Sequence, residues 1–164
     1  MMHSDARAVL TALQLSPHPE GGFYRRTFAS DHHVLSATGQ SRLSCTSIYY
    51  LLPGGSFSAF HRVRADEFWH VLDGDPAELH GLDAHGVHTT CRLGRNVLAG
   101  EQPQAVVRAQ QWQAVASRGE RFTLFGCVVA PGFDCADFEL PSRATLLTMF
   151  PQHAKLIEMF TREK

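Results

Sequence analysis

Residues 55–74 read GSFSAFHRVRADEFWHVLDG, two runs rich in aromatic and β-branched residues around a break at Ala65-Asp66, as two short strands joined by a turn would read. Successive side chains of a strand point to opposite faces. If His61 points inward, then Phe57, Ala59 and Val63 do so too, and on the following strand Glu67, Trp69 and Val71 share one face. His70 then points away, although it lies close to Glu67 in sequence. An imidazole and a carboxylate are thus expected to reach one interior.

Outward from this stretch the same texture continues. From Phe23 to Leu140 short β-rich runs follow one another: FYRRTF, SIYYLL, SFSAFHRV, EFWHVL, AELHGL, VHTTCRL, QAVVRA, QWQAVA and RFTLFGCVVA. They are broken by Pro53-Gly54-Gly55, Ala65-Asp66, Asp73-Gly74-Asp75-Pro76, Asp83-Ala84-His85-Gly86 and Pro131-Gly132, turn chemistry that a strand interior avoids. This punctuation predicts an all-β antiparallel sandwich or barrel. At the N-terminus Ser4 is placed to cap a helix with Ala6, Val9, Leu10 and Leu13 at helical spacing, stopped by Ser16-Pro17. Near the C-terminus Pro151 is placed to start a helix carrying Leu156, Ile157 and Phe160 on one stripe.

The chain has 164 residues, 44% of them hydrophobic, which suits one domain over residues 1–164. Fifteen Lys and Arg against sixteen Asp and Glu give a net charge of −1 without a basic run, so nucleic acid is not an expected partner. No stretch approaches the roughly 18 apolar residues of a membrane span, and MMHSDARAVL lacks the build of a signal peptide. A soluble, cytoplasmic protein is expected. The only lysines are Lys155 and Lys164, which argues against Schiff-base chemistry. Cys45, Cys91, Cys127 and Cys135 are widely spaced with no C-x-x-C pair, and read as buried free thiols rather than a zinc or redox centre.

The spacing of Gly55, His61, Glu67 and Gly74 resembles the first cupin motif, Gly, five residues, His-x-His, three or four residues, Glu, six residues and Gly, with Val63 in place of the second histidine. HPEGGFYRRTF, TSIYYLL and GCVVAPGF resemble hallmarks of the uncharacterised Cupin_5 family. The resemblance implies a double-stranded β-helix, or cupin jelly roll, with short helices at both ends. It also implies a homodimer, related in fold to germins, seed storage proteins and deoxysugar epimerases. It does not supply a reaction.

The second cupin motif adds a Pro-x-Gly-x-x-His element, for which the nearest match is Val107-Arg108-Ala109-Gln110-Gln111-Trp112, with Trp112 in the histidine's place. With Val63 and Trp112 apolar, His61 and Glu67 are too few for a tight transition-metal site. No metal or other cofactor is therefore expected. What remains is acid/base equipment in a small-molecule pocket lined by Phe57, Trp69 and Trp112, with His61 as base, by analogy with the epimerases, and Glu67 orienting it or sharing its proton. Arg25, Tyr49 and Tyr50 are the candidates to stabilise an enolate. The resemblance also brings His18 and Glu20 of Pro17-His18-Pro19-Glu20-Gly21-Gly22 to the pocket rim or a dimer contact, beside the plain reading of a helix stop and a permissive turn.

His80, Asp83, His85 and His88 invite a metal hypothesis, but Asp83-Ala84-His85-Gly86 is a good hairpin turn and the flanking histidines are expected on a solvated surface. His32 and His33 read as loop residues. The leading expectation is a metal-independent cupin of unestablished reaction that binds a small polar or aromatic metabolite such as a sugar or nucleotide derivative. Isomerase or epimerase activity is the chemistry its residues would allow. A metal-dependent cupin and a non-enzymatic storage-type cupin are the alternatives.

Overall fold

A computed structural model describes residues 2–162. In chain order its elements are α1 (Ser4–Ala12), β1 (Ser16–Pro17), β2 (Phe23–Ala29), β3 (His33–Leu35), β4 (Ser41–Leu43), β5 (Thr46–Pro53) and β6 (Phe57–Val63). There follow β7 (Asp66–Gly74), β8 (Ala77–Leu82), β9 (His88–Leu93), β10 (Gln104–Val107), β11 (Trp112–Ser117) and β12 (Phe122–Ala130). The chain closes with β13 (Phe138–Glu139), α2 (Arg143–Met149) and α3 (Ala154–Met159). All nine runs expected as strands are strands.

The strands form two facing sheets, ordered β1-β2-β5-β12-β7-β10 and β13-β6-β11-β8-β9, with β3 and β4 as a separate hairpin. The paired strands are antiparallel. Neighbours distant in sequence, such as β5 and β12, pair over eight positions from Phe122↔Pro53 to Val129↔Thr46. The turn punctuation predicted such an antiparallel sandwich, and the arrangement is the double-stranded β-helix that the cupin resemblance implies.

Both sheets are covered on both faces. Between them Tyr50, Leu52, Trp69, Val71, Leu79, Val115, Phe125 and Cys127 form the inner cluster. Outside the five-stranded sheet, Phe60, Leu82, Trp112 and Ala114 meet Leu146, Phe150, Ile157 and Phe160 from the C-terminal helices. Outside the six-stranded sheet Leu51, Phe122 and Leu124 pack with Ala6 and Leu15. A strand buried on both faces reads as an unbroken apolar run rather than an alternating one, and TSIYYLL is such a strand.

Several local expectations are corrected. His3 rather than Ser4 caps α1, its Nδ1 accepting from the Asp5 amide at 3.2 Å. His33, read with His32 as a loop residue, opens the β3–β4 hairpin. An extra helix, α2, precedes Pro151, with Ser142 as its cap, Oγ accepting from the Thr145 amide. His80 is buried rather than solvated, lying 4.7 Å from the Phe160 ring. The Asp83 turn is as expected: its Oδ1 accepts from the His85 and Val87 amides, both at 2.8 Å.

The most consequential irregularity is in β6. Gln113 of β11 opposes His61, but Val115 opposes Ser58, so a step of two residues on β11 matches three on β6. Such a bulge reverses the alternation of the strand beyond it. Ser58, His61 and Val63 therefore face the interior, whereas Phe57 and Phe60 turn out toward the C-terminal helices.

Candidate functional site

The site begins in the turn after β1. Ser16 and Pro17 pair with Tyr24 and Phe23, and the intervening turn is tied by His18 N–H donating to Gly22 O and Gly21 N–H to His18 O, both at 3.0 Å. Gly22 has φ +69, and a Cβ there would stand 2.7 Å from Leu51 O; only glycine takes this conformation without strain at so close an approach. The turn is stitched to both sheets. Tyr50 Oη donates to Gly21 O at 2.6 Å, and the Ala59 amide, inside the β6 bulge, donates to Glu20 O at 2.8 Å. These bonds drive the Glu20 side chain into the interior, where it is 4% exposed.

Glu20 lies against His61. Its Oε1 accepts from Ser58 Oγ at 2.9 Å, and its Oε2 is 3.2 Å from His61 Nδ1 and 3.6 Å from His18 Nδ1. His61 Nδ1 is also 2.8 Å from Ala59 O. A carbonyl oxygen only accepts, so Nδ1 carries the proton and the neutral ring presents an unprotonated Nε2. Among the described residues Nε2 has no hydrogen-bond partner, and it is not sealed from the cavity that His61 lines.

Glu67 projects from β7. Its Oε2 accepts from Gln113 Nε2 at 2.5 Å, and Gln113 Oε1 accepts from the Trp69 indole N–H at 2.8 Å. Burial, opposed by the His61 charge, raises Glu67 from 4.5 to about 7. Burial likewise pushes Glu20 up and His18 and His61 down. The low-dielectric interior disfavours the charged form of each group, which leaves a neutral imidazole beside a carboxyl group that titrates near neutrality.

These groups open onto a cavity of about 500 Å³ between the six-stranded sheet and β6, a size that suits a small-molecule ligand. Aromatic rings shape it. His18 stands edge-on to Tyr24 at 4.6 Å and to Tyr50 at 5.7 Å, while Phe138 lies 5.7 Å from His61 and 5.8 Å from Phe133. The segment carrying Phe133 and Phe138 is held by Arg42, whose Nε and Nη2 donate to Asp137 at 2.7 and 3.0 Å.

Of the residues expected at the site, His61, Glu67, Trp69, His18 and Glu20 all line the cavity, as does Tyr50. Four do not. Phe57 is turned out by the bulge and packs on Phe160. Trp112 lies outside the five-stranded sheet under the Arg62 guanidinium, 4.3 Å from its ring. Tyr49 and Arg25 stack on each other outside the six-stranded sheet at 5.8 Å. Their chain neighbours take the inward places: Gln113 beside Trp112, Tyr50 beside Tyr49, and Tyr24 and Arg26 beside Arg25. Glu20 also takes the role of orienting His61 that was expected of Glu67. A polar Gln113 in the otherwise apolar run Trp-Gln-Ala-Val-Ala was the available signal for the missed residue.

Comparison with known proteins agrees with this architecture. The model of the family Cupin_5, described as Cupin superfamily (DUF985), matches residues 7–141. The chain belongs to the Cupin_5 family. A hypothetical protein from Leishmania major superposes with a TM-score of 0.93 at 32% identity, covering 98% of this chain and 100% of that one. A structural-genomics protein from Shewanella oneidensis does so with a TM-score of 0.88 at 36% identity over 100% of both. Bacillus subtilis oxalate decarboxylase shares the fold alone, with a TM-score of 0.58 at 13% identity, covering 90% of this chain and 37% of that one. No curated protein matches.

Within the cupin frame the structure moves the second motif by one residue. Gln110 has φ +69, the backbone conformation for which the motif's Gly is suited, and the residue three further on, in the histidine's place, is Gln113 rather than Trp112. The four ligand positions of this Cupin_5 protein are then His61, Val63, Glu67 and Gln113. Gln113 is committed on both sides, its oxygen to Trp69 and its nitrogen to Glu67. Among the described residues no group of three or more His, Cys, Asp or Glu is disposed to hold a metal ion. The donor set does not fit a cupin transition-metal centre.

Proposed function

We propose that this Cupin_5 protein binds a small polar metabolite between its sheets and moves a proton on it without a metal, as an isomerase or epimerase of a sugar-like carbonyl compound. The observation that carries the reading is the fixed tautomer of His61: Nδ1–H is held by Ala59 O at 2.8 Å with Glu20 beside it at 3.2 Å, leaving Nε2 as a base directed at the ligand. Nε2 removes a proton from the carbon beside the carbonyl; the electron pair of that C–H bond becomes the C=C bond of the enolate as the carbonyl π pair moves onto oxygen. Glu67, near neutrality at about 7, supplies a carboxyl hydrogen to the developing oxyanion. In an isomerisation the imidazolium returns the proton to the neighbouring carbon while Glu67 recovers its own from the adjacent hydroxyl. In an epimerisation water protonates the opposite face and takes up the proton held by His61, so no co-reactant other than water is needed.

The test is solvent exchange. Dihydroxyacetone, fructose and their phosphate esters are incubated with the protein in D2O and followed by proton NMR. Wild type is expected to wash the acidic C–H out of at least one of them, and His61→Gln to slow this by ~100-fold or more while retaining its far-ultraviolet circular dichroism. Equal exchange by wild type and a folded His61→Gln would refute the assignment, as would no exchange of any of the four.

A further inference from the structure

We infer that the ligand of this cavity carries a carboxylate or phosphate group, received by Arg26 at the cavity mouth. This inference rests on the cavity being a ligand site as proposed above and names the ligand's chemistry. Seven arginines of the chain, Arg42, Arg62, Arg92, Arg95, Arg108, Arg118 and Arg121, are each paired with an Asp or Glu at 3.2 Å or less. Arg26 is not. Its side chain makes no ion pair, hydrogen bond or ring contact among the described residues, yet among those residues it is the only Arg or Lys on the cavity wall.

Its position follows from the register of β2. Arg26 pairs with Ile48 and Arg25 with Tyr49, so the two arginines take opposite faces of the sheet, Arg25 over the Tyr49 ring and Arg26 toward Ile48, Thr46 and Ser16 on the cavity side. Arg26 is exposed, which places it at the solvent end of the cavity, while Glu20, His61 and Glu67 are buried at the inner end. A guanidinium stays charged throughout the working pH range and its fork of N–H donors matches the oxygens of a carboxylate or phosphate. The two buried carboxyl groups on the same wall, Glu20 and Glu67, already have their own partners, Ser58 and Gln113, and do not pair with Arg26. One end of the cavity therefore holds an uncommitted cation, and the other holds the base. A bipolar ligand fits this layout, anionic at one end and with a carbonyl group to be worked on at the other.

Three matched probes test it by isothermal titration: neutral dihydroxyacetone, dihydroxyacetone phosphate as the phosphate source and hydroxypyruvate as the carboxylate source. Wild type is expected to bind at least one anion tenfold or more tighter than the neutral probe, and the preferred anion tells phosphate from carboxylate. Arg26→Gln is expected to lose that preference by tenfold or more, whereas Arg25→Gln, on the opposite face, leaves it intact. The assignment is overturned if neither anion binds at millimolar concentration, if dihydroxyacetone binds as well as the anions, or if Arg26→Gln binds them like wild type. Anion-selective binding lost in Arg26→Gln but without proton exchange sinks the proton-transfer reading and leaves this one standing. Exchange without anion preference does the reverse.

Discussion

Gln113 donates its amide N–H to Glu67 at 2.5 Å, in the layer between the two sheets. Because the same side chain accepts from Trp69, one amide satisfies two buried polar groups that come from a different strand. Gln113 is itself fully buried. An orphaned buried polar group costs ~1–3 kcal/mol, so Gln113→Leu, which orphans both the Trp69 indole and a Glu67 oxygen, is expected to lower stability by about 2 kcal/mol or more. Urea unfolding measures this. A variant as stable as wild type would show that the amide is not the clamp described.

Glu67 links the site to pH. Its proton is held up to about 7 in the folded protein against 4.5 ordinarily, so between those values the native state binds a proton that the unfolded chain has released, and stability falls as pH rises through the window. His61, lowered by burial, acts in the opposite sense, costing stability as pH falls below its ordinary 6.5. Glu67→Gln removes the first effect and keeps the second. Relative to wild type it is expected to gain ~1–3 kcal/mol on going from about pH 5 to about pH 8, read from urea unfolding at both. Parallel pH profiles for the two proteins would contradict the buried, proton-retaining carboxyl.

The metal-ligand positions can be refilled. Val63 and His61 share the interior side of β6, and Gln113 opposes His61 directly. Val63→His/Gln113→His supplies three imidazoles and a carboxylate where the fold brings four positions together. After loading with manganese or zinc and exhaustive dialysis, the double variant is expected to retain about one metal per chain by elemental analysis, and wild type far less. Wild type retaining stoichiometric metal under the same treatment would overturn the donor count.

The segment over His61 depends on a distant ion pair. The Arg42 guanidinium holds the Asp137 carboxyl below its ordinary value of 3.8, so this clamp is complete above that value and is lost as pH falls through the depressed one. Asp137→Asn is expected to speed hydrogen exchange at residues 133–138 at neutral pH, with the amides of β5 and β12 unchanged. Unaltered exchange at 133–138 would show that Phe138 is held over His61 by packing alone.

How much of this was legible in the chain depends on what each inference needed. The strands and their turns are local properties: Pro53-Gly54-Gly55 or Asp83-Ala84-His85-Gly86 ends a strand wherever it is placed. The motif spacing around His61 and Glu67, and the alternation on β7 that separates Glu67 and Trp69 from His70, could be counted directly. The N-terminal turn brought Glu20 into consideration only through family resemblance, since nothing local shows that Tyr50 and Ala59 will pull it inward. α2 is a short helix whose stability comes from the core that Leu146 packs into.

What the sequence by itself determined was therefore the cupin architecture and the pair His61 and Glu67. Which member of each adjacent pair faces the cavity was decided only by the tertiary structure. For Trp112 and Gln113, for Tyr49 and Tyr50, and for Arg25 and Arg26 the alternation was visible but its phase was not. The physical reason is that helices cover the outer faces of both sheets, so apolar side chains are buried on either side and hydrophobicity no longer marks the inward one. For Phe57 the phase was set by the β6 bulge, which exists only in the pairing of β6 with β11, a contact between segments far apart in the chain.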